Sequence, residues 1–441
     1  MAEVQLTPSL TLRRPPTPAR LGRAFGLLLV LAFAATAVRY YLKAEKPSRT
    51  GELTRTAFLR WRPQILALQT PTNIYTAFNY PNPPIMALVL APFVALPPLL
   101  GAMAWFAAKV AMAVWFLRWA VRALGANPPG WALGAAVLFA MHPILGDLSH
   151  GNVNLFIAFL VLGALALFTA RRDFAAGVVL ALAIACKVTP ALFLPYFVWK
   201  RAWRAVAGTL VGLALWLLIV PGTALGWSRN VELLGSWFDT MVKPFVVEGK
   251  VTSEHANQSI PGLTFRLLTA EPSFLDYDED DKPVASDYHN VASLAPGQAQ
   301  LIVKGLMGLF AVAIVALCRW PTHRAGVPRA GPLLMAEFAL VLLGMLLFSE
   351  RTWKHHATTL IVPFVVLAWA ATAAELPLRT RRCVIGASVV IGLLLVVPSL
   401  LAPQTQDLAL VYGAATAAYA LTTIAVIVAL AAGRGIRTPA T

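Results

Sequence analysis

The sequence predicts an all-α protein, a polytopic transmembrane helical bundle of about twelve spans. Composition gives the first reason. Of its 441 residues, 58% are hydrophobic and 13% charged, with a mean hydropathy of +0.69; soluble domains carry about 25% charged residues. The second reason is periodic. Apolar runs recur along the whole chain, each near the ~20 residues that cross a bilayer as a helix, and none alternates as barrel strands do. The third is charge placement. The basic residues behind the net charge of +16 sit in short clusters between apolar runs, which is the pattern of topology signals and not of nucleic-acid binding.

In order, residues 1–20 read as a disordered cytoplasmic tail, and Leu21–Leu42 as a retained helix, too long for a signal-peptide core. Further spans are expected at 99–118, 130–146, 154–170, 174–187, 188–199, 205–221, 300–318, 331–348, 357–374, 383–401 and 409–431. The transmembrane region then covers 21–432, with 433–441 as a second cytoplasmic tail. Every short loop on one side carries at least two basic residues, among them Arg171 and Arg172, Lys200 and Arg201, and Arg381 and Arg382. That side is cytoplasmic, both termini lie there, and the expected location is the inner (plasma) membrane. The weakest pair is 174–199, whose tip is Lys187-Val188-Thr189-Pro190 and which could also form a re-entrant hairpin. Cys186, Cys318 and Cys383 lie in or beside spans, so no disulfide framework or zinc site is implied.

The opposite side carries the loops 43–83, 222–299 and 349–356. It also carries His142–Asn154, HPILGDLSHGNVN, an acid with histidines and carboxamides hinged by Pro143, Gly146 and Gly151. Ile85–Leu96 is too short to span and reads as an interfacial helix. A carboxylate beside Lys, Arg and His suits one reaction class: the acid deprotonates a hydroxyl while cations stabilise a phosphate leaving group. Tyr, Asn and His can hold sugar hydroxyls. Each element also has a plainer reading. Lys187 could snorkel to the interface, the KHH run could start a solvated helix, and Asp276–Asp281 could be a solvated loop. No metal site is expected, because the histidine spacings match no ligand pattern. Without a phosphate-cradling glycine loop, no nucleotide donor is expected either.

Five blocks in order resemble glycosyltransferase family 87 (DUF2029). They are NIY…NYPNPPIMALVLAPF, then Asp147-Leu148-Ser149-His150-Gly151-Asn152-Val153-Asn154, KVTPALFLPYFVWKRAW from Lys187, NQSIPGLTFRLL from Asn257, and SERTWKHHATTLIVP from Ser349. The resemblance implies a C-type glycosyltransferase fold with its site at the extracytoplasmic surface. The implied reaction is inverting transfer of a mannose-like hexose from a polyprenyl-phosphate sugar to an acceptor hydroxyl of a glycolipid or glycan, without cofactors. The partners it implies are that donor, a lipid or glycan acceptor and membrane lipids, with no nucleic acid. The family's base is an Asp of the first outward loop; here 43–83 holds no Asp, and Glu52 lies nearest the place. Glu52 is therefore the expected base, with Asp147 as the alternative base or a sugar ligand. Lys187, Arg351, Lys354, His355 and His356 are expected at the donor phosphate. Tyr80, His150, Asn152, Asn154, Asn257 and Gln258 are expected around sugar and acceptor. The rival class is a transporter or flippase of a lipid-linked sugar, which would place polar residues at mid-membrane depth on broken helices.

Overall fold

A computed structural model describes residues 18–46, 56–78, 80–277, 283–318 and 329–435. Glu52, most of the acidic stretch around Asp280 and the expected tails, apart from 18–20 and 433–435, which belong to the first and last helices, lie outside these residues. The described chain is mostly helical because a backbone in hydrocarbon must satisfy its own hydrogen bonds. Among the described residues, eight helices are long and apolar enough to cross a membrane: Gly22–Glu45, Pro98–Ala123, Gly130–His150, Trp203–Leu225, Pro296–Leu317, Lys354–Thr372, Leu378–Leu400 and Ala414–Gly435. Three more expected spans appear as shorter apolar helices, Asn154–Thr169, Asp173–Cys186 and Pro332–Leu347.

The span expected at 188–199 is different. A 3-10 turn, Thr189–Leu192, leads into a helix of seven residues, Phe193–Trp199. At 1.5–2 Å per residue the pair falls well short of the roughly 30 Å hydrocarbon core. Twelve full crossings are therefore not what the described residues form. Pro190 and Pro195 explain the break, since neither supplies a backbone N–H to a continuous helix. The short helix expected at 85–96 is present as Pro84–Val94. Beyond the helices, the described residues form one antiparallel pair of strands, Phe274–Tyr277 with Pro283–Asp287.

Polar connections gather at the two ends of the bundle. At one end, Glu337 accepts from the Tyr196 hydroxyl at 2.7 Å and pairs with Lys200 at 2.9 Å and with Arg434. Arg329 pairs with Asp173 at the same end. These contacts tie the helix ending at Trp199 to the start of Pro332–Leu347 and the close of Ala414–Gly435. Several of the basic residues read as topology signals thus also hold a buried carboxylate. Glycine permits the tightest helix contact. A Cβ on Gly177 or Gly208 would collide with the backbone of the facing helix, at Ala205 or Phe174, the close approach that small residues allow between membrane helices.

Candidate active site

The other end of the bundle is built around the turn between Gly130–His150 and Asn154–Thr169. Gly151 closes the first helix at φ +69°, the left-handed cap that glycine adopts without strain. A Cβ there would also meet the Tyr40 hydroxyl at 2.8 Å. The turn carries Asp147 to the start of the second helix. Its Oδ1 accepts from Asn154 N at 3.3 Å and Asn154 Nδ2 at 3.0 Å; its Oδ2 accepts from Leu155 N at 3.4 Å. A carboxylate against orphan N–H groups at a helix start is stabilised by them and by the helix dipole.

Lys109, from the middle of Pro98–Ala123, completes the group. Its ammonium lies 3.2 Å from Asp147 Oδ2 and donates to the carbonyls of Asp147 (3.1 Å) and Asn152 (3.0 Å). Both side chains are fully buried. Asn154 then passes the order outward, because its Oδ1 accepts from Lys187 Nζ at 2.8 Å. Lys187 stands at the end of Asp173–Cys186 and forms no ion pair among the described residues. Its one side-chain hydrogen bond there goes to a neutral amide, so its charge is left over. Burial lowers its pKa to about 8, while the Asp147 and Glu350 carboxylates pull it back up.

Lys187 and Asn154 line a narrow cleft with His356, Thr189, Ser349 and Thr358, and its inner wall is apolar, including Ile157, Val161 and Leu346. His355 sits beside the cleft. Its Nε2 lies 3.2 Å from Asn152 Nδ2, and its ring stacks on His150 with centroids 4.9 Å apart. Glu350 is half-buried nearby. Its Oε2 has no hydrogen-bond partner among the described residues, and burial holds its carboxyl above the ordinary carboxylate range despite Arg351 and Lys187.

The structure thus brings together Asp147, His150, Asn152, Asn154, Lys187, His355 and His356. Other expected site residues point elsewhere. Arg351 donates to Thr252 Oγ1 at 3.0 Å and covers the Phe245 ring. Tyr80 is fully buried, edge-on to Trp61 and beside Tyr75. Asn257 and Gln258 are fully buried. Asn257 donates to the carbonyls of Thr252 and Glu350 and accepts from Thr352 N and Ser259 N. Gln258 donates to the carbonyls of His255 and Leu410 and accepts from Ala415 N. Arg266 donates to five backbone carbonyls, those of Ser253, Glu254, Asn257, Leu410 and Val411. These three side chains fasten the loop at 349–352 to the chain around 410–415.

Lys109 and Glu350 were not among the expected site residues. A single Lys in a 26-residue apolar helix was the available signal for the first, since an intramembrane charge implies a partner or a role.

A bundle of membrane-length helices with a polar cleft at one end defines a class, a polytopic membrane protein. Within that class the chain belongs to glycosyltransferase family 87, whose family model matches residues 80–350. It is 26% identical over 390 residues to the polyprenol-phosphate-mannose-dependent alpha-(1-2)-phosphatidylinositol mannoside mannosyltransferase of Mycobacterium tuberculosis, covering 80% of this chain and 79% of that one. It is likewise 26% identical over 313 residues to the protein of the same description from Mycolicibacterium smegmatis, covering 66% and 61%. Among solved structures, ArnT from Cupriavidus metallidurans bound to undecaprenyl phosphate matches at a TM-score of 0.39 and 16% identity, over 92% of this chain and 78% of that one.

Proposed function

We propose that this chain transfers a mannose-like hexose from a polyprenyl-phosphate sugar to an acceptor hydroxyl of a glycolipid or glycan, with inversion, at the extracytoplasmic face. The observation that carries the reading is Lys187, an ammonium with no carboxylate partner among the described residues, held against Asn154 at the head of a cleft whose inner wall is apolar. A phosphate carrying a prenyl chain fits both features. The ammonium stabilises the charge that builds on the leaving phosphate as the sugar departs, and the apolar wall accepts the chain. The donor of the mycobacterial relatives, a polyprenol-phosphate mannose, agrees with this chemistry.

Lys187 and His356 hold the donor phosphate. His150, Asn152 and His355 border the sugar. Asp147 organises the turn, because both of its oxygens are already engaged and it is fully enclosed. Glu52 is the base. Asn257 and Gln258 shape the loop that carries Glu350 and do not touch sugar. Inversion follows from a single displacement, in which the acceptor oxygen attacks the anomeric carbon as its bond to the phosphate oxygen breaks and the base takes the hydroxyl proton.

The test is to incubate the purified protein with a panel of polyprenyl-phosphate sugars and extracted membrane lipids. Mannose incorporation into lipid, lost on Lys187→Ala, is the expected result; no transfer from any donor would overturn the reading. The face is tested separately in a Cys383→Ser background, because Cys383 is exposed. A cysteine at Ser286 should react with an impermeant thiol reagent in intact cells, and one at Ala170 should not.

A further inference from the structure

Two clefts of the bundle are narrow, one lined by Lys187 and His356 and one by Lys354 and His142. A third space is roomy, a cavity of about 400 Å³ that shares no lining residue with the Lys187 cleft. It lies between the helix Ala57–Leu66 with its 3-10 extension Ala67–Gln69, the short helix Pro84–Val94 and the turn at 224–229. The span Trp203–Leu225 runs beside Asp173–Cys186 in the same direction, Gly208 against Phe174 and Gly212 against Ala181. Its close, and the cavity with it, therefore belong to the Lys187 end. Hydrogen bonds prop the walls apart. On one side Arg62 donates to the Leu96 carbonyl at 3.4 Å. On the other, Gly226 turns the chain at φ +92° into the helix Trp227–Trp237, a conformation that glycine adopts without strain. Buried Asn230 donates back to the Leu217 carbonyl at 2.9 Å, and Arg229 reaches across to the carbonyls of Thr70 and Thr72.

We propose that this cavity holds one acyl chain of an anionic bilayer phospholipid, its phosphate at Arg229, as a fixed part of the fold that the reaction does not consume. Folded chains pack closely and leave few voids larger than a water, and this one has the size of a small-molecule site, ~300–1,000 Å³. Its walls are apolar, including Ile65, Leu68, Leu88, Val94 and Leu225, and Ala91 is too short to close the space. Ordered water needs about two to four polar partners, and an apolar cavity of ~150 Å³ stays dry and takes benzene instead. Here Gln69 and Arg229 supply the one polar end, side by side because Arg229 holds the residue after Gln69. Hydrocarbon is at hand. Ala224 at the mouth is exposed, as are Leu218, Ile219 and Trp227, which flank it in the chain, and tryptophan favours the membrane interface. Arg229 forms no ion pair with a described residue, and its two partners are neutral carbonyls. A guanidinium with N–H groups to spare suits a phosphate. A cation at one end of an apolar cavity thus selects an anionic head and accepts a chain.

The test uses the full chain, purified in detergent, stripped of lipid and titrated with phosphatidylglycerol or phosphatidylcholine of the same acyl chains, with retention read by native mass spectrometry. The wild type should retain one phosphatidylglycerol in preference to phosphatidylcholine. Ala91→Phe, which fills the space, should lose that molecule. Arg229→Gln should weaken phosphatidylglycerol by about tenfold or more, the scale of one lost charge-assisted contact, and leave phosphatidylcholine as it was. If Ala91→Phe does not fold, Ala224→Phe at the exposed mouth blocks entry and should give the same loss. Equal retention by the wild type and a folded blocking variant removes the site. No retention by the wild type, or no preference between the two lipids, does the same. Displacement of phosphatidylglycerol by undecaprenyl phosphate, one for one, would make the cavity the seat of a prenyl chain and overturn the assignment. None of these measurements involves sugar transfer, so their outcome is independent of the activity.

Discussion

The ammonium of Lys109 lies 3.2 Å from the carboxylate of Asp147, and neither side chain is exposed. Residues 38 apart in the chain thereby fix the turn that presents Asn154 to Lys187. Breaking such a pair from one side leaves an uncompensated buried charge, which costs about 3–5 kcal/mol. Lys109→Met should therefore lower the melting temperature in detergent sharply. Lys109→Met combined with Asp147→Asn should recover part of the loss, since no charge is then stranded. A single variant that melts like the wild type would remove the pair from the account of the site.

Lys187 sets a pH dependence whose sign differs for binding and for stability. Its pKa in the folded protein is about 8, against an ordinary value of 10.5. Binding of a polyprenyl-phosphate sugar should weaken as pH rises through about 8 and the ammonium loses its proton. Lys187→Arg should remove that limb. Stability should do the reverse between about pH 8 and 10.5, because there the unfolded chain binds more protons than the folded one. Binding isotherms and melting curves across pH 7–10 measure both. Flat binding in the wild type would place Lys187 away from the phosphate.

Three carboxylates separate by parallel substitution. Glu52→Gln keeps shape and removes basicity, and should cost roughly 10²–10⁴ in rate with donor binding intact. Asp147→Asn should lower stability more than chemistry, in keeping with its four engaged contacts. Glu350→Gln should change the pH profile modestly, since Glu350 acts on Lys187 through its charge. A dead Glu350→Gln beside an active Glu52→Gln would move the base to residue 350.

Arg266 and Asn257 give the clearest contrast between holding a loop and holding a ligand. Each buried donor or acceptor left unsatisfied costs about 1–3 kcal/mol. Arg266→Met and Asn257→Ala should speed proteolysis at 349–352 and lower the melting temperature. The folded fraction of Asn257→Ala should bind donor with little change in Kd. A stable Asn257→Ala with a tenfold weaker Kd would return Asn257 to the substrate.

What the sequence determined by itself was the material and the side. Composition dictated membrane helices, the basic clusters divided loops between two ends, and Asp147 through Asn154, Lys187 and the SERTWKHH run were legible as polar residues of one end. Chain-local signals suffice for that, because hydropathy and charge act through each residue's own transfer free energy. The tertiary structure decided which of those residues face one another. Lys109 shows in sequence only as a lone ammonium in an apolar helix, and its role comes from a partner brought in from another helix. Asn257, Gln258 and Arg266 look in sequence like any polar block at a helix start, yet packing aims all three inward at backbone carbonyls. Lys354, His355 and His356 are neighbours in the chain and strangers in space, because a 3-10 turn sends consecutive side chains to different helices. Spacing along a chain fixes which face of its own element a residue occupies; only the packing of separate elements fixes what that face meets.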